Sequence, residues 1–325
     1  MSEPRDHGRR ELLKRAAKAG LLIGGAGAFG WALHDPVGPS GVPAARTVTL
    51  PDWRVRVDGP QVAVVTGRPR ALAVRRGFEM LGGLERFVGP GDRVLVKPNV
   101  AFATPAALGA TAHPDTVGEI VRLCVALGAR VVVTDNPIAD PAGAFGVSGV
   151  EQAVRRAGGT LLVPRPSDFE AVTVRGSRHL VDWPLLIEPL LAATRVIGVA
   201  PVKDHHRAGA SLTLKNWYGL LGGGRSVFHQ DVHALVCDLA VAVRPTLVVL
   251  DGTWSMVANG PTGGSLSDLK PTDTLIVGTD PVAVDVLGLA LLQRDPADVP
   301  YVSLAAEAGA GSLDPEAVRV LWDRS

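Results

Sequence analysis

Short apolar runs alternate along most of this chain with stretches where apolar residues recur every three or four positions. The two patterns predict strands and helices in turn. Residues 61–65, 93–97, 130–134, 160–163, 196–203, 246–250 and 274–277 are apolar runs of strand length. Between them, residues 71–81, 114–127, 150–157, 185–193, 232–243 and 281–292 carry helical periodicity. His113 and Asp280 each precede a proline, the order of a cap followed by the first helical position. Strand-then-helix repetition predicts an α/β fold, a mostly parallel sheet with helices on both faces. Ligand-binding loops are then expected at the carboxyl ends of the strands. Residues 203–230 and 252–271 are long enough to serve as such loops.

Composition narrows the function. The 325-residue chain has a formal net charge of +1, which gives no electrostatic footprint for nucleic acid. Its two cysteines, Cys124 and Cys237, lie in apolar helix-like stretches and read as core residues. Two cysteines cannot hold a four-cysteine iron–sulfur cluster. Only six of the 33 basic residues are lysines. Lys97 and Lys203 each end an apolar strand-like run, Lys215 lies in Thr-Leu-Lys-Asn, and Lys270 sits in a polar loop as an ordinary surface residue. A lysine kept where arginine serves almost every other need suggests a compact ammonium with a shiftable pKa. Lys97, Asp135, Lys203 and Asp251 should all emerge at the sheet edge where open α/β folds bind ligands.

The histidines and one carboxylate add detail. His205 and His206 follow Lys203, while His229 and His233 are four apart. Asp231 reads as a helix cap, which separates the second pair and weakens a metal-ligand reading. His205, His229 and Asp251 could still meet around a metal in three dimensions; hydrogen bonding to substrate or loop backbone is the preferred role. Asp285 lies among apolar neighbours and needs a partner, with one of the lysines as the expected one. The glycines at 222–224 and the loop 259–264 allow close backbone approach to a ligand. Neither matches a nucleotide-binding fingerprint.

Several stretches together resemble a known family. They are Lys97-Pro98-Asn99, Lys203-Asp204-His205, Thr213-Leu214-Lys215-Asn216-Trp217-Tyr218-Gly219, His229, Asp251, Asn259-Gly260-Pro261-Thr262-Gly263-Gly264 and Asp280-Pro281-Val282-Ala283-Val284-Asp285. This set is similar to the bacterial and archaeal family catalogued as domain of unknown function 362. Some of its relatives add a ferredoxin-like cysteine module, which this chain lacks. The resemblance implies which residues matter but brings no reaction or cofactor with it. The expected reading is an enzyme of unassigned reaction acting on a small anionic or carbonyl-bearing compound. Lys97, Lys203, His205 and Lys215 are its expected catalytic groups, with His205 transferring protons. Asn99, Thr213, Asn216, His229, Asp251, Asn259 and Asp285 are expected to bind substrate. The alternative is a non-catalytic extracytoplasmic protein that captures an anion or a metal-bearing cofactor.

Residues 1–34 are expected to be a signal segment, 35–51 a linker rich in Pro and Gly, and 52–325 the α/β domain. Arg9-Arg10-Glu11-Leu12-Leu13-Lys14 resembles a twin-arginine export motif, and the apolar stretch after it is mild and rich in Gly and Ala. The partner implied is the twin-arginine export machinery, and the destination is the periplasm or cell envelope. If left uncleaved, the segment would tether the protein to the membrane. The paired arginines act as an address read by a receptor. Changing both Arg9 and Arg10 to Lys should therefore leave the protein in the cytoplasm on cell fractionation. Unchanged export of the double variant would refute the twin-arginine reading.

Overall fold

The strands carry apolar side chains on both sides, so each face of the sheet must be covered to keep them from water. The computed structural model describes residues 45–323, apart from 57, 60 and 139, together with 14, 15, 18 and 20. The chain divides into Met1–Ala44 and Ala45–Ser325. In the first unit, the described residues Lys14, Arg15, Lys18 and Gly20 are helical and exposed. Arg9 and Arg10 lie outside the described residues.

The second unit begins with β1 (Arg46–Val48), inside the tract read as a linker. It continues with β2 (Val62–Thr66), α1 (Arg70–Met80), β3 (Arg93–Pro98), α2 (Pro114–Ala126), β4 (Arg130–Val133), α3 (Pro141–Val147), α4 (Val150–Arg156) and β5 (Thr160–Leu161). Next come β6 (Glu170–Val174), β7 (Trp183–Leu185), α5 (Ile187–Ala192), β8 (Arg195–His205), β9 (Gly209–Ser211) and α6 (Thr213–Asn216). The last elements are α7 (Val232–Ala242), β10 (Leu247–Met256), β11 (Leu269–Gly278), α8 (Pro281–Leu291), α9 (Pro300–Glu307) and β12 (Val320–Asp323).

Among the described residues the main sheet runs β12-β2-β11-β10-β8-β3-β4-β5, with β9 hairpinned onto β8. β11 is antiparallel to both neighbours and β9 to β8; the remaining pairs are parallel. The expected mostly parallel sheet is therefore present. A second, small sheet is built from β1, β6 and β7.

Residue alternation divides the core. Val62, Val64, Leu95, Val248 and Leu250 face one side, where they pack with α7, α8, α9 and the small sheet. Ala63, Val65, Val94, Val96, Leu247 and Val249 face the other, against α1 to α4. Each fully buried Val or Leu contributes roughly 1.5–3 kcal/mol, so both layers are needed.

Strand order places the functional edge. β3 leads outward to β4 and β5, whereas its other neighbour β8 leads in the opposite direction to β10. Chains diverging from adjacent parallel strands leave a crevice at their carboxyl ends, the usual ligand position in open α/β sheets. Lys97 lies near the end of β3 and Lys203 near the end of β8.

Asp285 shapes that edge from behind. It is fully buried on α8, and its partner is not a lysine. Its Oδ1 accepts from Thr213 N at 2.8 Å and Thr213 Oγ1 at 2.5 Å, and its Oδ2 accepts from Leu214 N at 3.0 Å. The carboxylate thus takes up free amides at the start of α6, the turn that carries Lys215 and Asn216. Burial pushes the Asp285 carboxyl up to about 7 against these hydrogen bonds. Asp285→Asn keeps the size but turns an amide N–H₂ toward backbone donors. It should lower unfolding free energy by roughly 1–3 kcal/mol, read from the urea midpoint, for one unsatisfied buried group. An unchanged midpoint would contradict this role.

Candidate functional site

At the β3–β8 crevice a cavity of about 620 Å³ is lined by Lys97, Lys203, Lys215, His205, Asn99 and Asn216, among others. Each lysine arrives on a different element: Lys97 on β3, Lys203 on β8 and Lys215 on α6. Lys97 is buried in a complete set of acceptors. Its Nζ lies 2.5 Å from Asp135 Oδ1, 2.8 Å from Asn216 Oδ1 and 3.0 Å from Pro98 O. Asp135 Oδ2 in turn accepts from Val100 N at 2.6 Å, tying the end of β4 to the chain after β3. Asn216 Nδ2 donates to Lys97 O at 2.9 Å and Val199 O at 3.3 Å, which fixes its amide orientation. Burial lowers the Lys97 pKa while Asp135 raises it, and the net direction is down. Gly219 lies against this pair: a Cβ there would come 2.6 Å from Lys97 Nζ. Only glycine leaves room for the pair.

Lys203 and Lys215 have no such counter-charge. Lys203 Nζ donates to Ala110 O at 2.7 Å and Asn99 Oδ1 at 3.0 Å, and the Phe102 ring centre lies 5.5 Å away. Burial first, then the charge of Lys215, brings Lys203 down to about 7. Lys215 Nζ stands 5.1 Å from the Tyr218 ring centre, and burial with Arg225 and Lys97 brings it down to about 8. Arg225 also lies against this ring, its guanidinium carbon 5.8 Å from the ring centre. Arg225 donates to Asn136 O at 2.7 Å and Leu221 O at 3.2 Å rather than to a carboxylate. Of the lining side chains, Lys97, Lys203, Lys215, Arg207 and Arg225 are basic and Asp135 alone is acidic.

His205, the expected proton carrier, has its Nδ1 held by backbone amides. Its Nδ1 accepts from Arg207 N and Ala208 N, both at 3.2 Å, in the turn between β8 and β9. The ring proton therefore sits on Nε2. Burial, followed by Lys215 and Lys203, pushes its pKa down to about 2, so the ring stays neutral. A neutral imidazole in this state can polarise a carbonyl oxygen but is a poor base.

The cavity gathers Lys97, Lys203, Lys215, His205, Asn99, Asn216 and His229, and leaves four expected residues outside. Thr213 and Asp285 bond each other under α6. Asn259 donates to Asp268 Oδ1 at 2.6 Å, shaping the loop whose Pro261 and Thr262 reach the cavity. Asp251 pairs with Arg70 at 3.0 Å and accepts from Thr116 Oγ1 at 2.6 Å, beside a separate cavity of about 360 Å³. The carboxylate near the lysines is thus Asp135, not Asp251 or Asp285. With Asp251 elsewhere, the envisaged His205–His229–Asp251 metal set does not form. Among the described residues no three His, Cys, Asp or Glu side chains converge on a metal position. His229 lies in the turn Arg225–Gln230, ahead of α7, so it does not share a helix face with His233. Asp231 stands at the cap position of α7 without a capping bond and meets His179 Nε2 at 3.1 Å instead.

Sequence reasoning did not single out Phe102, Arg207 or Arg225. The long irregular stretch holding Arg207 and Arg225 was the available signal.

Residues 94–290, more than half of the chain, match the family model described as Domain of unknown function (DUF362). That span contains every residue lining the lysine cavity. The thylakoid-associated protein sll1697 of Synechocystis sp. is 28% identical over 266 residues, 78% of this chain and 78% of that protein.

Breaking one side of a buried ion pair strands the other charge, typically at about 3–5 kcal/mol. Asp135→Asn should lower stability on that scale in denaturant titration. A loss below about 1 kcal/mol, the worth of a surface pair, would contradict the structural importance of Lys97–Asp135.

Proposed function

We propose, from the premise that the chain belongs to the Domain of unknown function (DUF362) family, that the lysine cavity binds a small anion bearing a carbonyl group and that the protein is an enzyme acting on it. The observation that carries this reading is the charge imbalance at Lys203 and Lys215. Lys203 is buried and Lys215 partly buried, neither with a carboxylate partner, and their pKa values are depressed to about 7 and about 8. Ammonium groups in that state gain from any carboxylate or phosphate that enters, because it supplies the missing counter-charge in a space of low dielectric. A cavity of about 620 Å³ suits a compact metabolite. In this reading Lys215 and Arg225 hold the anionic group, Asn99 and Asn216 keep the lysines in register, and His205 Nε2–H meets the carbonyl oxygen.

We place this activity outside the cytoplasm. The support is the Arg9-Arg10 motif with the mild apolar stretch that follows it.

The pH dependence follows from the two depressed lysines. An anion binds their charged forms, so it raises both pKa values and takes up protons where the free lysines are deprotonated. Affinity for sulfate or oxalate should be highest below about pH 7 and fall as pH rises through about 8. Calorimetry in buffers of different ionisation enthalpy should show proton uptake near pH 8. Lys215→Met should weaken binding by roughly 30-fold or more, since losing a buried charge partner costs at least about 2 kcal/mol. Binding that ignores both pH and Lys215→Met would refute the reading.

A further inference from the structure

The three lysines of the cavity differ in how many acceptors their nitrogens meet. Lys97 has three, at 2.5, 2.8 and 3.0 Å, one for each N–H bond of an ammonium. Lys203 has two, Ala110 O at 2.7 Å and Asn99 Oδ1 at 3.0 Å. A neutral amine has two N–H bonds and one lone pair. Two carbonyl-type acceptors therefore satisfy the neutral form of Lys203 completely. Its ammonium form keeps a third N–H, for which the Phe102 ring, 5.5 Å away, is the neighbour. Lys215 meets no hydrogen-bond acceptor among the described residues and faces the Tyr218 ring.

We propose that Lys203 is the nucleophile of this cavity, forming an imine with the carbonyl carbon of the bound anion. The assignment rests on the anion reading above and adds the covalent step to it. Its basis is the acceptor count, together with burial and the neighbouring cation. Burial and the Lys215 charge hold Lys203 at about 7 before ligand binds, so about half of it is then neutral at neutral pH; a bound anion raises that value, and the neutral fraction that remains is the attacking species. Lys215, held nearer 8, stays mostly protonated there and can bind the anionic group and give up a proton. Lys97 is set apart, because its three acceptors, Asp135 among them, match the three N–H bonds of an ammonium.

The step balances without an oxidant or reductant. The Lys203 lone pair attacks the carbonyl carbon, a C–N bond forms, and the C=O π pair moves to oxygen, where His205 Nε2–H donates. Proton transfer from nitrogen to oxygen gives the carbinolamine. A second proton, from Lys215, converts the hydroxyl into water, the C–O bond breaks, and the protonated imine remains. Loss of that nitrogen proton back to Lys215 leaves the neutral imine. The two acceptors of Lys203 also direct the attack, since they point its N–H bonds at Ala110 and Asn99 and leave the lone pair for the substrate.

The test traps the imine. Full-length protein is incubated with glyoxylate and cyanoborohydride near pH 7, then digested and mapped by mass spectrometry. Formaldehyde is run in parallel so that ligand size does not limit access. Cyanoborohydride delivers hydride to the C=N carbon and leaves a stable secondary amine. Glyoxylate should carboxymethylate Lys203 at least ~10-fold faster than Lys97 or the exposed Lys270. Lys203→Arg, checked for folding by circular dichroism, should yield no adduct in the 203 peptide. If wild type binds sulfate yet Lys203 reacts no faster than Lys270 with either aldehyde, the nucleophile assignment fails while the anion reading stands. Preferential adduct on Lys215 also overturns it. If sulfate does not bind and Lys203 is unreactive, both readings fall.

Discussion

A lysine ammonium buried at the end of a parallel strand is tolerable only if three acceptors and a counter-charge are already waiting for it. Lys97 meets that demand through Asp135, Asn216 and Pro98 O, and the rest of the site is arranged around the solution. Asp135 must stand at the end of β4, beside β3, and its second oxygen must take Val100 N. Asn216 must arrive on α6 with its amide turned one way. Residue 219 must be a glycine, because the space a side chain would need belongs to the ion pair. One buried pair therefore links β3, β4, α6 and the turn after it. Such a pair contributes little net stability over an apolar isostere, but removing one partner costs heavily.

Once Asp135 is committed to Lys97, no carboxylate is left for Lys203 and Lys215. Burial first, and then that allocation, depress their basicity; burial and the same uncompensated cations keep His205 neutral, with its Nδ1 held by two backbone amides. The supporting groups are on regular elements or fixed by buried bonds. Asp285 on α8 holds the start of α6, and the hairpin of β8 and β9 holds the turn that orients His205. A site built on such supports keeps its geometry before ligand arrives, which favours binding and catalysis alike.

Much of this could be read from the chain. Runs of apolar residues gave the strands, and the lysines at two of their ends marked the crevice later found between β3 and β8. Legibility stopped where partners are chosen across the fold. Asp251 and Asp285 both look like carboxylates in need of a lysine, yet Arg70 and the amides of α6 reach them first. Nothing local distinguishes Asp135, which wins Lys97 because β4 lies next to β3. The orientation of β11 was equally hidden, since an apolar run is the same read in either direction. So were the short elements: β1, β6 and β7 are too brief to show a period, and the pair His229 and His233 showed a spacing that the turn before α7 breaks. The His205 tautomer depends on a three-residue turn closing back on its ring, which no residue pattern announces.

The central claim is that an anion supplies the counter-charge missing at Lys203 and Lys215. Crystals of the full chain soaked in selenate, with data collected at the selenium edge, address it directly. The account requires an anomalous peak in the cavity, with oxyanion oxygens in hydrogen-bond reach of Lys203 Nζ, Lys215 Nζ and His205 Nε2. An empty cavity, with selenate found only at exposed arginines, would contradict it.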